Sequence, residues 1–141
     1  MIDQLVDMLN KALAMEYQAS YQYLHHYNNV RGKYTDVIDH FKEHMEDENG
    51  HANQLVGRIY ILGAVPVMDM EPFAEYTEDI DEALKQDIVG EQKAIDHYSE
   101  VLKLTESMGD YATTMMIEGI LADEVSHIDE FAKIRRSTVR R

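Results

Sequence analysis

Four stretches of the chain carry apolar residues at steps of three or four, and each of these stripes is interrupted once by glutamate. That period is one face of an α-helix. The first stripe runs Ile2, Leu5, Leu9, Leu13, then Glu16, Ser20, Tyr23, Tyr27 and Val30. The second is Val37, Phe41, Met45, then Glu48, Ala52, Leu55, Ile59 and Leu62. The third is Ile80, Leu84, Ile88, then Glu91, Ile95, Tyr98, Leu102 and Thr105, and the fourth is Thr114, Ile117, Leu121, then Glu124, Ile128, Phe131 and Ile134. An ionised carboxylate turned toward a core is expensive unless a cation compensates it, so four at matching positions must share one. Two divalent ions would balance four carboxylates.

The punctuation sets the connectivity. Helices are expected at about 2–31, 36–63, 79–108 and 110–136, in a single domain spanning 1–141. Gly32, Gly63 and Gly109 stand at helix ends, with Thr35 and Asp110 as N-caps. Both prolines, Pro66 and Pro72, fall in the stretch 64–78, which breaks the periodic pattern. Short links between helices one and two, and three and four, make antiparallel hairpins, and the long middle link can cross from one end to the other. The expected fold class is therefore all-α, a four-helix bundle of two hairpins joined by a long crossover.

Composition narrows the chemistry. With no cysteine, disulfides, thiolate-bound zinc and iron–sulfur clusters are excluded, and any metal must bind through oxygen or imidazole. A net charge of −14 argues against nucleic acid as a partner, because that affinity rests on Lys and Arg. No window approaches a membrane span, and the N-terminus has no leader-like run, so the expectation is a soluble cytoplasmic protein with no membrane partner. Lys133, Arg135, Arg136, Arg140 and Arg141 crowd the C-terminus, where they complement the helix dipole.

Two of the four glutamates begin Glu-x-x-His, at Glu48–His51 and Glu124–His127. Residues at i and i+3 share a helix face, so each pair offers an oxygen and a nitrogen to one point. Glu16 precedes Glu48 by 32 residues and Glu91 precedes Glu124 by 33, so each hairpin carries the same half-site. Metal-bound histidine commonly donates its other ring N–H to a carboxylate, and an aspartate precedes each motif. Asp123 is expected to serve His51, and Asp47 to serve His127, across the bundle. Glu43, His44, Asp47 and His40 form a further polar group one to two turns away, which fits either a cation transit patch or a solvated face.

With these residues in place, the chain resembles the bacterioferritins and their ferritin-like relatives over almost its whole length. Glu16-Tyr17-Gln18-Ala19-Ser20-Tyr21-Gln22-Tyr23-Leu24-His25-His26 is similar to the bacterioferritin pattern Glu-x-x-Ala-x-x-Gln-Tyr-x-x-His, and His51-Ala52 and Gly63-Ala64-Val65-Pro66 look like their counterparts. The resemblance implies a ferroxidase centre holding two Fe ions per chain. Glu48 and Glu124 would bridge them, Glu16 with His51 and Glu91 with His127 would complete each one, and Tyr23 would stand beside the centre as hydrogen-bond partner or electron donor. It further implies Fe2+ and O2 or H2O2 as reactants, iron storage and detoxification, and a homo-oligomer built from dimers, of open size. Two departures qualify it. The position after Glu48, where bacterioferritins have their haem-ligating methionine, is Asn49, so no haem is expected. Few residues follow His127, so no fifth helix is expected.

A rubrerythrin-like peroxide reductase, or another di-iron oxidase without mineral storage, is the competing reading. Rubrerythrins resemble this site but add a glutamate three residues after the third-helix ligand, where this chain has Ala94, and they usually append a Cys-rich domain. A purely structural bundle is the third reading, which apolar residues at any two of the four intruding positions would have favoured.

Overall fold

A computed structural model describes residues 1–31 and 35–139, without the side chains of 35, 36 and 137–139. The expected stop at Gly32, the capping side chain of Thr35, and Arg140 and Arg141 lie outside it. Four helices follow the four stripes: α1 Ile2–Asn29, α2 Thr35–Ile61, α3 Ile80–Met108 and α4 Tyr111–Val139. At 27 to 29 residues, each is about 40 Å long. α1 packs on α2 and α3 on α4 as hairpins, while α1 meets α3 and α2 meets α4. This is the ferritin-like four-helix bundle. None of the described helices is long and apolar enough to cross a membrane.

Ends form where the local chemistry allows. Gly63 and Gly109 take positive φ, 85° and 67°, the left-handed conformation that terminates a helix at little cost to glycine. Asp79 caps α3 by accepting from Glu82 N at 2.9 Å. Asp110 caps α4, accepting from Thr113 N at 3.1 Å, and the Arg58 guanidinium of α2 donates to it at 3.1 Å. The 62–79 segment returns along α1 in extended form. Asn10 Oδ1 accepts from Val67 N at 2.9 Å, Ala14 O from Glu71 N at 3.1 Å, and Glu78 O from Arg31 N at 2.8 Å.

The core is not continuous. One apolar block joins Leu5, Leu9 and Leu13 of α1 to Leu55 and Ile59 of α2, Tyr98 and Val101 of α3, and Ile117 and Ile120 of α4. The other joins Tyr23 and Val30 to Val37, Phe41, Leu84 and Phe131. Between them lies a layer of buried Glu16, Glu48, Glu91 and Glu124. Several stripe residues prove peripheral. Ile2 is exposed, and Met45, Ile88, Ile95 and Leu102 are only half-buried, while His44, Asp87, Ala94 and Val101 beside them are buried. The buried seam is narrower than an apolar stripe, so the flanking apolar residues cover its shoulders. Of the basic C-terminal residues, Arg135 reaches Asp81 on α3 at 3.3 Å.

Its hydrogen bonds to Thr113 and the charge of Arg58 outweigh the cost of burial and hold the Asp110 carboxyl below the usual aspartate range. A lowered folded pKa gives stability that is present above the unfolded value of about 3.9 and lost as pH falls through the folded one. Asp110→Ala should therefore cost about 1–2 kcal/mol at neutral pH by urea unfolding. The gap to the wild type should narrow below about pH 4.

Candidate metal centre

The four glutamates meet at mid-height of the bundle because each is one stripe position of its own helix, and Glu-x-x-His adds an imidazole from α2 and another from α4. All six residues are at most 4% exposed. Their donor atoms form two groups. Glu16, Glu48, His51 and Glu124 make one and Glu48, Glu91, Glu124 and His127 the other, with the atoms of each group within 4.8 Å of one another. Glu48 and Glu124 belong to both.

The spacing suits shared coordination, and among the Nδ1–glutamate pairs only His127 Nδ1 and Glu91 Oε1 also meet as a hydrogen bond. His51 Nδ1 lies 3.1 Å from Glu124 Oε1, 3.3 Å from Glu48 Oε1 and 3.5 Å from Glu16 Oε2. His127 Nδ1 lies 3.3 Å from Glu91 Oε1, 3.5 Å from Glu48 Oε1 and 3.8 Å from Glu124 Oε1. Two donors each about 2.1 Å from one ion stand roughly 3.0–3.4 Å apart, so these gaps suit ligands around a cation. Glu16 Oε2, Glu48 Oε1, His51 Nδ1, Glu91 Oε2 and both Glu124 oxygens are buried without a hydrogen-bond partner, an arrangement that proteins otherwise avoid. The residues fit a pair of metal ions.

Outside the donor atoms, the supporting bonds cross between hairpins. His51 Nε2 faces Asp123 Oδ2 at 2.8 Å and His127 Nε2 faces Asp47 Oδ2 at 2.8 Å, the two exchanged pairs that the sequence predicts. Each aspartate accepts a hydrogen bond from Nε2–H, which leaves Nδ1 to face the carboxylates. Tyr23, on α1, donates to Glu91 Oε1 of α3. Tyr98, on α3, donates to Glu16 Oε1 of α1 at 2.6 Å. Burial, then the facing glutamate, pushes both phenols well above their ordinary range, so they stay protonated donors.

Tyr98 is a site residue that the stripe reading absorbed as packing. The signal was present, because Tyr23 follows Glu16 by seven residues and Tyr98 follows Glu91 by seven. A second omission is a buried polar network one turn from Glu91. Asp87 accepts from Gln22 at 2.8 Å and pairs with His26 Nδ1 at 2.8 Å. Burial raises the Asp87 carboxyl despite His26. A cavity of about 570 Å³ between α1, α3 and the crossover reaches Glu16, Glu91 and Tyr23 past Phe73.

Electrostatics show what the centre lacks. Burial, reinforced by the charge of Glu16, pushes Glu48 and Glu124 well above the carboxylate range. Burial alone would lower His51, but the facing carboxylates of Glu124 and Glu16 carry it up to about 11, and Glu91 lifts His127 to about 9. Protons on both rings thus do part of a cation's work. Replacing Glu48 and Glu124 together with glutamine should stabilise the chelator-treated protein at neutral pH, read by calorimetry, because it spares the proton uptake that burial forces on these two acids, and the gain should shrink as pH falls into the ordinary carboxylate range.

The ferritin-like domain family model matches residues 6–140. A bacterioferritin of Brucella melitensis is 30% identical over 127 residues, which cover 89% of this chain and 79% of that protein. Among solved structures, the dodecameric thioferritin of Bacteroides fragilis, described as bacterioferritin-related, superposes with a TM-score of 0.93. It is 31% identical, over 99% of this chain and 89% of the other. A ferritin-like di-iron carboxylate protein of Bacillus anthracis gives a TM-score of 0.90 at 28% identity, over 95% and 96%. With a matching model, fold and duplicated carboxylate–histidine centre, the chain belongs to the ferritin-like family, among its bacterioferritin-like di-iron proteins.

Proposed function

We propose that this protein is a cytoplasmic ferroxidase that binds two Fe(II) per chain at Glu16, Glu48, His51, Glu91, Glu124 and His127, and oxidises them for iron storage and detoxification. The observation that carries this reading is the set of buried, unpartnered donor atoms in two groups sharing Glu48 and Glu124. With iron as substrate, two Fe(II) give two Fe(III), while O2 with two protons becomes H2O2, or H2O2 with two protons becomes two waters.

The protein's part is charge, orientation and access. Four carboxylates balance two divalent cations, and the mixed oxygen and imidazole set tolerates both oxidation states. Asp123 and Asp47 fix the imidazole tautomers. The two tyrosines hold one oxygen of Glu16 and one of Glu91, leaving the second oxygen of each free to bind. In this reading Tyr23, hydrogen-bonded to Glu91, would also serve as an electron donor. The cavity beneath the crossover is a route for small reactants, with Lys11, Glu71 and Lys93 on its lining. Haem is not part of this reading, since Asn49 occupies the methionine position and hydrogen-bonds Ser20. Exposed Tyr60, Ile61, Met68 and Tyr76 are consistent with a homo-oligomer, and the Bacteroides fragilis relative is dodecameric.

The same cavity favours one second reading, a di-iron oxidase acting on a small organic molecule. Adding Fe(II) aerobically, while measuring iron per chain and particle mass, separates the two. Rapid oxidation of two irons per chain, followed by uptake of many more into a large particle, is the expected result; saturation at two in a small oligomer would exclude storage. Asp123→Ala should weaken metal affinity or activity about 10–100-fold, as loss of an outer hydrogen-bond partner does. Tyr98→Phe should keep the stoichiometry of two and slow oxidation, whereas Glu16→Ala should drop anaerobic Fe(II) binding from two to one.

A further inference from the structure

His44 occupies a core position that the other half of the molecule fills differently. Glu48 corresponds to Glu124 in the repeat, so His44 corresponds to Ile120, His40 to Met116, and Glu130 to Gln54. Ile120 is fully enclosed in the first apolar block, as its position demands. His44 is only 3% exposed, and an imidazole buried there costs desolvation that isoleucine does not.

What surrounds it explains the choice. His40 and His44 are four residues apart on α2 and so share a face, and Glu130 of α4 lies opposite. His40 Nδ1, His44 Nε2 and a Glu130 oxygen lie within 4.8 Å of one another. His44 Nε2 is 3.2 Å from Glu130 Oε1, His40 Nδ1 contacts the same oxygen, and Glu43 Oε2 stands 3.9 Å from His40 Nδ1. His40 Nδ1 is nevertheless buried without a hydrogen bond of acceptable geometry. His44 Nε2 hydrogen-bonds Glu130, yet three donor atoms converging this closely from two helices, with His40 Nδ1 left unsatisfied, are placed as ligands are. The cluster opens outward, since the His40 and Glu130 side chains are 33% and 37% exposed. Inward it ends on the dinuclear centre, where the His44 ring stacks on that of His127 at 3.9 Å between centroids and 16° between planes.

We propose that His40, His44 and Glu130, with Glu43 within reach, form a third cation site for a borderline divalent metal such as Zn2+, Co2+ or Fe2+. It lies between solvent and the dinuclear centre. Two imidazoles and a carboxylate with an open position suit this class of ion. The site is a binding site in its own right and does not depend on the redox reaction. Its place against His127 makes it a station from which a cation enters or leaves the centre.

Co2+ is the probe. Anaerobic titration of the assembled protein should give three equivalents per chain, and crystals soaked in Co2+ should show anomalous density among His40, His44 and Glu130. Both His40→Ala and Glu130→Ala, which alter partly exposed side chains and spare buried His44, should lose that density and the third equivalent while keeping the other two. Density at the dinuclear centre with none at His40, or an unchanged third equivalent in both variants, would overturn the proposal. Density at His40 with none at the six centre residues would support it and count against the ferroxidase reading instead.

Discussion

Everything in this bundle is arranged around four carboxylates that the core cannot hold by itself. Glu16, Glu48, Glu91 and Glu124 are each at most 3% exposed and lie together between two apolar blocks. Protonated imidazoles relieve part of their mutual repulsion, since His51 and His127 are both raised into the basic range. Burial forces protons onto Glu48 and Glu124 as well, and several carboxylate oxygens still remain without partners. Leucine at the same positions would make a more stable bundle. The strain is local to the centre and is compensated by the two apolar blocks around it, the pattern expected where a fold holds a site rather than merely a shape.

The two halves of the molecule repeat the centre but not its surroundings. Tyr23 and Tyr98 are equivalent, as are Asp47 and Asp123, and each contacts the opposite hairpin. Beyond them the symmetry ends. Gln22, His26, His44 and Asp87 are all buried on one side of the carboxylate layer, while the equivalent positions of the last three, Val101, Ile120 and Ala12, are buried and apolar. Polar traffic toward the layer therefore has one preferred direction, and the other end serves as the hydrophobic anchor.

That asymmetry also marks what could be read from the chain alone. The helices, the crossover and the six central residues were legible because a glutamate interrupting a 3.6-residue period is a contrast against its neighbours. The exchanged aspartates followed from the chemistry of metal-bound histidine. His44 and Asp87 were harder, because each adjoins an apolar residue, Met45 or Ile88, that continues the stripe equally well, and only packing decides which of the two faces inward. Tyr98 was hidden for another reason: tyrosine suits a core, and its hydroxyl acquires meaning only when Glu16 of another helix arrives opposite.

Neither group of donor atoms is complete within one hairpin. The first needs Glu124 from α4 beside three residues of α1 and α2, and the second needs Glu48 from α2 beside three of α3 and α4. A hairpin formed alone offers a cation a partial cradle, and full affinity appears only once the two hairpins have docked. By mass action, a ligand that binds only the docked form stabilises it by RT ln(1 + [L]/Kd). Divalent metal bound there would therefore favour the docked pair of hairpins, adding to the apolar blocks that already join all four helices.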